Sequence, residues 1–147
     1  MSIDDKRTKN EAMIRELFDD LVAAIRAKNL DGVMACYATD LVAFDIVPPL
    51  QFVGASAYRK PWQDVFERFQ TLDYEVRDLS IVAGDDVGFS YSLNRIHGTM
   101  TNGEKTDLWL RLTACYRKID GRWRIAHLQA SVPADLATGK AVLDLKP

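Results

Sequence analysis

Four apolar-rich runs in the second half of the chain, YEVRDLSIVA, VGFSYSLNRIHGT, TDLWLRLTACYRK and RWRIAHLQASV, are separated by little more than Gly-Asp, Asn-Gly and Asp-Gly turn signals. Strands joined that tightly pair with their sequence neighbours, so this half can only form an antiparallel meander. The half before it reads differently. From Asn10 to Lys28, Met13, Ile14, Leu17, Phe18, Leu21, Val22 and Ile25 recur every three or four positions, the stripe of an amphipathic helix. Asp31 then suits an N-cap for a short second helix that offers Val33, Met34 and Tyr37 to a core and ends at Thr39 and Asp40. A third stripe, Tyr58, Trp62, Val65, Phe66 and Phe69, spans Ser56 to Gln70, with Pro61 in or just before its first full turn. Three helices followed by a meander define an α+β domain in which a strongly curved, mostly antiparallel sheet folds over the helices as a cone with an internal pocket.

Between the second and third helices lies LVAFDIVPPL, residues 41–50, a strand that carries one carboxylate, Asp45, and stops at Pro48 and Pro49. The chain of 147 residues reads as a single domain, long enough to bury a core without disulfide or metal staples. The tail 134–147 reads either as an arm that packs on a partner subunit or as a frayed end.

Turn chemistry sorts the meander into faces. A two-residue type I′ turn at Asn102-Gly103 sets Asn94 opposite Arg111 and Leu93 opposite Leu112. A three-residue loop at Ile119-Asp120-Gly121 sets Arg111 opposite Gln129 and Leu112 opposite Leu128. Together they gather Ser92, Asn94, Trp109, Arg111, Thr113, His127, Gln129 and Ser131 on a polar face, and Tyr91, Leu93, Leu110, Leu112, Ala114, Ala126, Leu128 and Ala130 on an apolar one. A two-residue Asp-Gly turn would instead swap the faces of the last strand. The apolar face meets the helices, and its alanines are too small to fill the space below a curved sheet. The expected result is an apolar hollow lined by Tyr58, Trp62, Tyr91, Leu93, Leu112, Ala114, Leu128 and Ala130, with Asp45 at its mouth.

Several function classes drop out. The 19 basic and 21 acidic residues are interspersed, which gives a net charge of -2 and no general attraction for nucleic acid. The cluster Arg117, Lys118, Arg122 and Arg124 flanks an Asp-Gly turn and reads as a solvated hairpin tip. No run is long and apolar enough for a membrane span, and the charged start MSIDDKRTKNEAM lacks the apolar segment of a secretory signal, so a cytoplasmic location is expected. Cys36 and Cys115 stand alone, without metal-ligand or redox spacing. There is no phosphate-binding glycine loop and no Ser-His-Asp set in a credible context, so neither a cofactor nor a metal is expected.

The order helix, helix, YATDLVAFD, proline turn, helix and long antiparallel sheet resembles the nuclear transport factor two-like superfamily, also called SnoaL-like or ketosteroid-isomerase-like. The likeness covers about 10–133, and YRKIDGRWRIAHLQASVP resembles the DGxWxIxHxHxSxP ending of its polyketide-associated and kinase-association relatives. In ketosteroid isomerases a catalytic aspartate follows a Tyr-Ala-x-Asp segment and a short strand. Tyr37, Ala38, Asp40 and Asp45 fall in that pattern, which implies Asp45 as a general base. Two donors of that family's site would fall near Leu21 and near Leu112 or Ala114, none of which can donate, and this argues against steroid isomerisation itself. His127 matches the first histidine of the ending, and Gln129 replaces the second. The resemblance also implies a homodimer through the polar face, with Asn94, Trp109, Arg111, His127 and Gln129 at the contact or forming an alternative polar site.

Two functional expectations follow. One is a cofactor-independent isomerase, cyclase, dehydratase or hydrolase acting on a small hydrophobic compound, with Asp45 moving a proton. The other is a non-catalytic dimeric module that binds a hydrophobic metabolite or supports assembly. One scaffold hosts many activities, so the fold alone does not choose between them.

Overall fold

Ser2 begins the first element. Its hydroxyl accepts from the Asp5 amide at 3.1 Å while the Asp5 carboxylate accepts from the Ser2 amide at 3.2 Å, a reciprocal cap that starts helix α1 at Ile3–Arg26, well ahead of its apolar stripe. This computed structural model describes all residues 1–147. The short helix α2, Leu30–Met34, is capped by the Asn29 side chain rather than by Asp31. It ends earlier than its pattern suggests because the chain is already pairing: the Ile125 amide donates to the Cys36 carbonyl at 2.9 Å, and strand β1 runs Tyr37–Phe44. Tyr37, Thr39 and Asp40 therefore belong to a strand, not to a helix end.

Strand β2 is Phe52–Val53, and helix α3 is Ala55–Arg68 with Pro61 inside it rather than in its first turn. The helix runs through the proline at the loss of one backbone bond, the one Ala57 would have accepted. Strands β3 (Phe69–Ala83), β4 (Val87–Met100), β5 (Lys105–Ile119) and β6 (Arg122–Ser131) form the meander, and the sheet order is β2-β1-β6-β5-β4-β3. All neighbours are antiparallel except β1 and β6, which run parallel. The helices cover the concave side, and the core includes Ile14, Phe18 and Ile25 of α1 with Leu41, Tyr116 and Ile125 of the sheet. The tail folds on itself as a small hairpin, β7 (Ala134–Asp135) with β8 (Lys140–Ala141), and Leu136 at its tip is 92% exposed.

The two hairpin loops have exchanged the lengths expected of them. At Asn102-Gly103 the loop has three residues, Thr101 to Gly103, closed by Met100 N–H to Glu104 O at 2.7 Å, with Gly103 at φ 89. A left-handed glycine in third place is what such a loop requires. Asn94 consequently pairs with Leu110 and Leu93 with Arg111, one residue away from the expected register. At the other hairpin, Asp120 (φ 51) and Gly121 (φ 78) make a two-residue turn, and Ile119 pairs with Arg122. That turn alone would aim His127 and Gln129 inward. An irregularity between Tyr116↔Ile125 and Cys115↔His127 leaves Ala126 as an extra residue and restores the alternation, so Leu128 pairs with Ala114 and Ala130 with Leu112 on the concave side.

Candidate functional site

The concave side encloses a cavity of about 600 Å³ between α1, α3 and the sheet, a size that suits a small organic molecule. Twenty of its 27 lining residues are hydrophobic. The few polar groups are therefore the ones that could orient a guest.

Asp45 follows directly on β1, where the chain turns toward Pro48 and Pro49. One carboxylate oxygen accepts from the Ile46 amide at 2.7 Å and the other from the Tyr58 hydroxyl at 2.8 Å. Each oxygen has a second lone-pair direction left, so the carboxylate is oriented without being saturated. Tyr58 comes from the first turn of α3 and packs among aromatic rings, 5.5 Å from Tyr37 and 5.4 Å from Phe52 between centroids. The Trp62 indole N–H, one turn further along α3, donates to the Tyr37 hydroxyl at 2.9 Å.

On the sheet side, the Tyr74 hydroxyl of β3 accepts from the Asn94 amide at 2.7 Å, and the Ser92 hydroxyl donates to the Asn94 oxygen at 2.6 Å. Burial pushes the Tyr74 phenol up to about 12, against a smaller opposing effect of the Asn94 hydrogen bond. Burial likewise raises Tyr37 and Tyr58 well above the ordinary tyrosine range. All three phenols are protonated at neutral pH and serve as O–H groups.

Of the expected lining, Asp45, Tyr58, Trp62, Leu112, Ala114, Leu128 and Ala130 all border the cavity. Tyr91 and Leu93 do not. The one-residue register difference on β4 turns them to the convex side, where Tyr91 is 54% exposed. The same difference brings Asn94 and Ser92 inward, with Asn94 at 0% exposure, so Asn94 is not part of the polar outer face. Trp109, Arg111, His127 and Gln129 do share that face. Arg111 donates to the Ser131 hydroxyl at 3.0 Å, Arg95 lies 6.0 Å from the Trp109 ring centre, and His127 Nδ1 donates to the Val42 carbonyl at 2.6 Å. Ala126, expected on the apolar face, is the extra residue of β6 and does not border the cavity.

Leu21, Leu112 and Ala114 line the cavity without a polar atom. Tyr37 and Tyr74 are site residues that pattern reading did not single out as ligand contacts: Tyr37 was offered to the core and Tyr74 only opened a strand run. The available signal was a phenol placed among strands and helices rich in possible donors. A separate titratable group, Asp73, Glu75 and His97, gathers near the β3–β4 pairing, but Arg26 holds Asp73 at 3.1 Å and Arg95 holds Glu75 at 3.2 Å, so its charge is answered within the protein.

With this geometry in view, the SnoaL-like domain family profile matches residues 14–135. The chain belongs to the SnoaL-like family. An NTF2-like protein of unknown function from Pseudomonas putida KT2440 is 35% identical, with a TM-score of 0.87 over 95% of this chain and 98% of the other. A ketosteroid isomerase-like protein from Erwinia carotovora atroseptica is 22% identical, with a TM-score of 0.70 over 82% of this chain and 94% of the other. An NTF2-like superfamily protein from Salmonella enterica serovar Typhimurium is 15% identical, with a TM-score of 0.78 over 92% and 99%. The last two likenesses show the fold alone. No curated protein sequence matches the chain. No helix is long and apolar enough to cross a membrane.

Proposed function

We propose that the protein binds a small hydrophobic carbonyl compound in the cavity and that Asp45 acts on it as a general base, without a cofactor. The observation that carries this reading is the 2.8 Å hydrogen bond from Tyr58 to Asp45 at the wall of an apolar cavity. A base needs a fixed position and an open lone pair within reach of the proton it takes. Asp45 is held on both oxygens and keeps that capacity. In the step envisaged, a C–H bond next to the carbonyl breaks, its proton passes to a free lone pair of Asp45, and the electron pair moves into the carbonyl to form an enolate. Return of the proton to another carbon completes an isomerisation, and loss of a leaving group completes an elimination. The likeness to a ketosteroid isomerase-like protein agrees with this class of chemistry but does not name the compound.

The test is deuterium exchange. 2-Tetralone, a bicyclic ketone of suitable size, incubated with the protein in deuterated buffer, is expected to lose its α-protons faster than in buffer alone. Asp45→Asn, which keeps the side chain's shape and one of its two acceptor oxygens but removes the base, is expected to abolish the acceleration while leaving ketone affinity unchanged. Equal exchange in both proteins refutes the base; it leaves the non-catalytic binding module.

The convex face supports a homodimer built through the sheet, since Val87 (57% exposed), Phe89 (43%) and Tyr91 present apolar surface on the same side of the sheet as Trp109 and Arg111. Sedimentation equilibrium reads this directly, and a monomer at all accessible concentrations rejects it.

A further inference from the structure

Counting the hydrogen bonds of the cavity's three tyrosines separates them into two kinds. Tyr58 spends its proton on Asp45. Tyr37 and Tyr74 only receive, from the Trp62 indole and the Asn94 amide respectively, groups that can donate and not accept through those nitrogens. Their own O–H protons have no acceptor in the protein, although both residues are at least nine-tenths buried and border the cavity. A buried donor without an acceptor is costly, and a ligand oxygen placed between two such donors relieves that cost twice.

We infer that Tyr37 and Tyr74 form a paired donor site for the oxygen of a bound carbonyl group, which selects ketones and related acceptor-bearing molecules over plain hydrocarbons. The site differs in kind from the positions the family resemblance pointed to, which here are leucine and alanine. Its donors come from β1 and β3, strands that are not neighbours in the sheet, and Tyr74 lies near enough to act electrostatically on Tyr37. Each phenol is primed by what it receives, because accepting a hydrogen bond on the oxygen strengthens the donation of its proton. For Tyr74 the priming extends one step further, from the Ser92 hydroxyl through the Asn94 amide. A carbonyl oxygen has two lone pairs and can accept from both phenols at once. Asp45 raises the phenol pKa of both residues by its charge, which ties all three groups to one electrostatic neighbourhood. The cavity thus offers two donors for an oxygen and one acceptor for a proton.

The inference rests on the proposed binding reading but not on catalysis, and the experiment keeps them apart. The probes are 2-tetralone labelled with carbon-13 at the carbonyl and tetralin, its hydrocarbon counterpart. In the wild-type protein the bound carbonyl resonance is expected downfield of its position in water. Tyr37→Phe and Tyr74→Phe are each expected to move it back upfield and to weaken ketone binding about tenfold, with tetralin affinity unchanged. Asp45→Asn is expected to retain the downfield resonance even where it abolishes deuterium exchange. Failure of the ketone to bind overturns the inference, as does a bound resonance at its hydrocarbon-solvent position. Equal losses for ketone and tetralin would mark the tyrosines as structural only and overturn it as well. The wild-type resonance decides the matter if either variant does not fold.

Discussion

The amide of Asn94 and the hydroxyl of Tyr74 meet at 2.7 Å in the interior, joining β4 to β3 through side chains as well as through the ladder. Both are buried, and the pair holds a phenol that burial keeps protonated up to about 12.

Alkaline stability should report this pair. Burial lifts the Tyr74 phenol from the ordinary tyrosine value of 10.0 to about 12, so between those values the folded protein binds more protons than the unfolded chain. Stability from this group is complete below pH 10 and falls as pH rises toward about 12. The full loss is on the order of 3 kcal/mol. Urea unfolding at a series of pH values should show that decline, and Tyr74→Phe should flatten it by up to about 1.4 kcal/mol per pH unit while lowering stability at neutral pH. Parallel curves for the two proteins would mean that Tyr74 is not buried as described.

Strand β6 offers a test of the fold's geometry. The register is displaced at Ala126, and without that residue Ile125 and His127 would be neighbours with their faces unchanged. Deleting Ala126 should therefore leave Leu128 and Ala130 inward. Deleting Arg124 instead makes Trp123 and Ile125 adjacent, and one of these two buried side chains must then face outward. The Arg124 deletion should cost about 1.5–3 kcal/mol more than the Ala126 deletion, the burial energy of one large apolar side chain. Chemical denaturation of the two variants measures it, and equal losses would show that the extra residue has a different role.

These details explain what the sequence could disclose. The meander, the three helical stripes and Asp45 before its prolines were legible because each follows from a local rule of period or turn chemistry. The β4 faces were not. Asn-Gly serves both two-residue and three-residue hairpins, and the wrong choice moved Tyr91 and Leu93 into the cavity and Asn94 out of it. Apolar patterning then reinforced the error, since the inward residues of β4 include Ser92 and Asn94, which are tolerated only through their hydrogen bonds to each other and to Tyr74. On β6 the loop was again misjudged, yet the inward set was right from Leu128 onward, because the displacement at Ala126 cancels the effect of the shorter turn. Tyr37 and Tyr74 escaped notice as polar groups because their roles depend on partners 25 and 20 positions away.

Ala130 separates the cavity from the rest of the sheet as a determinant of binding. Its methyl group borders the hollow beside Leu112, its partner on β5, whereas Ala126, four residues earlier on the same strand, does not border it. A phenyl ring at position 130 would project into space that a ligand would otherwise use. Ala130→Phe should abolish 2-tetralone binding while raising stability by about 1–2 kcal/mol, since the added ring is buried in an existing void. Ala126→Phe should leave ketone affinity unchanged, which controls for the general effect of enlarging a β6 alanine. Isothermal titration together with thermal unfolding of both variants checks the pair of outcomes. Retained binding in Ala130→Phe would place the ligand elsewhere, and with it would go the case for Asp45, Tyr37 and Tyr74 as the groups that meet it.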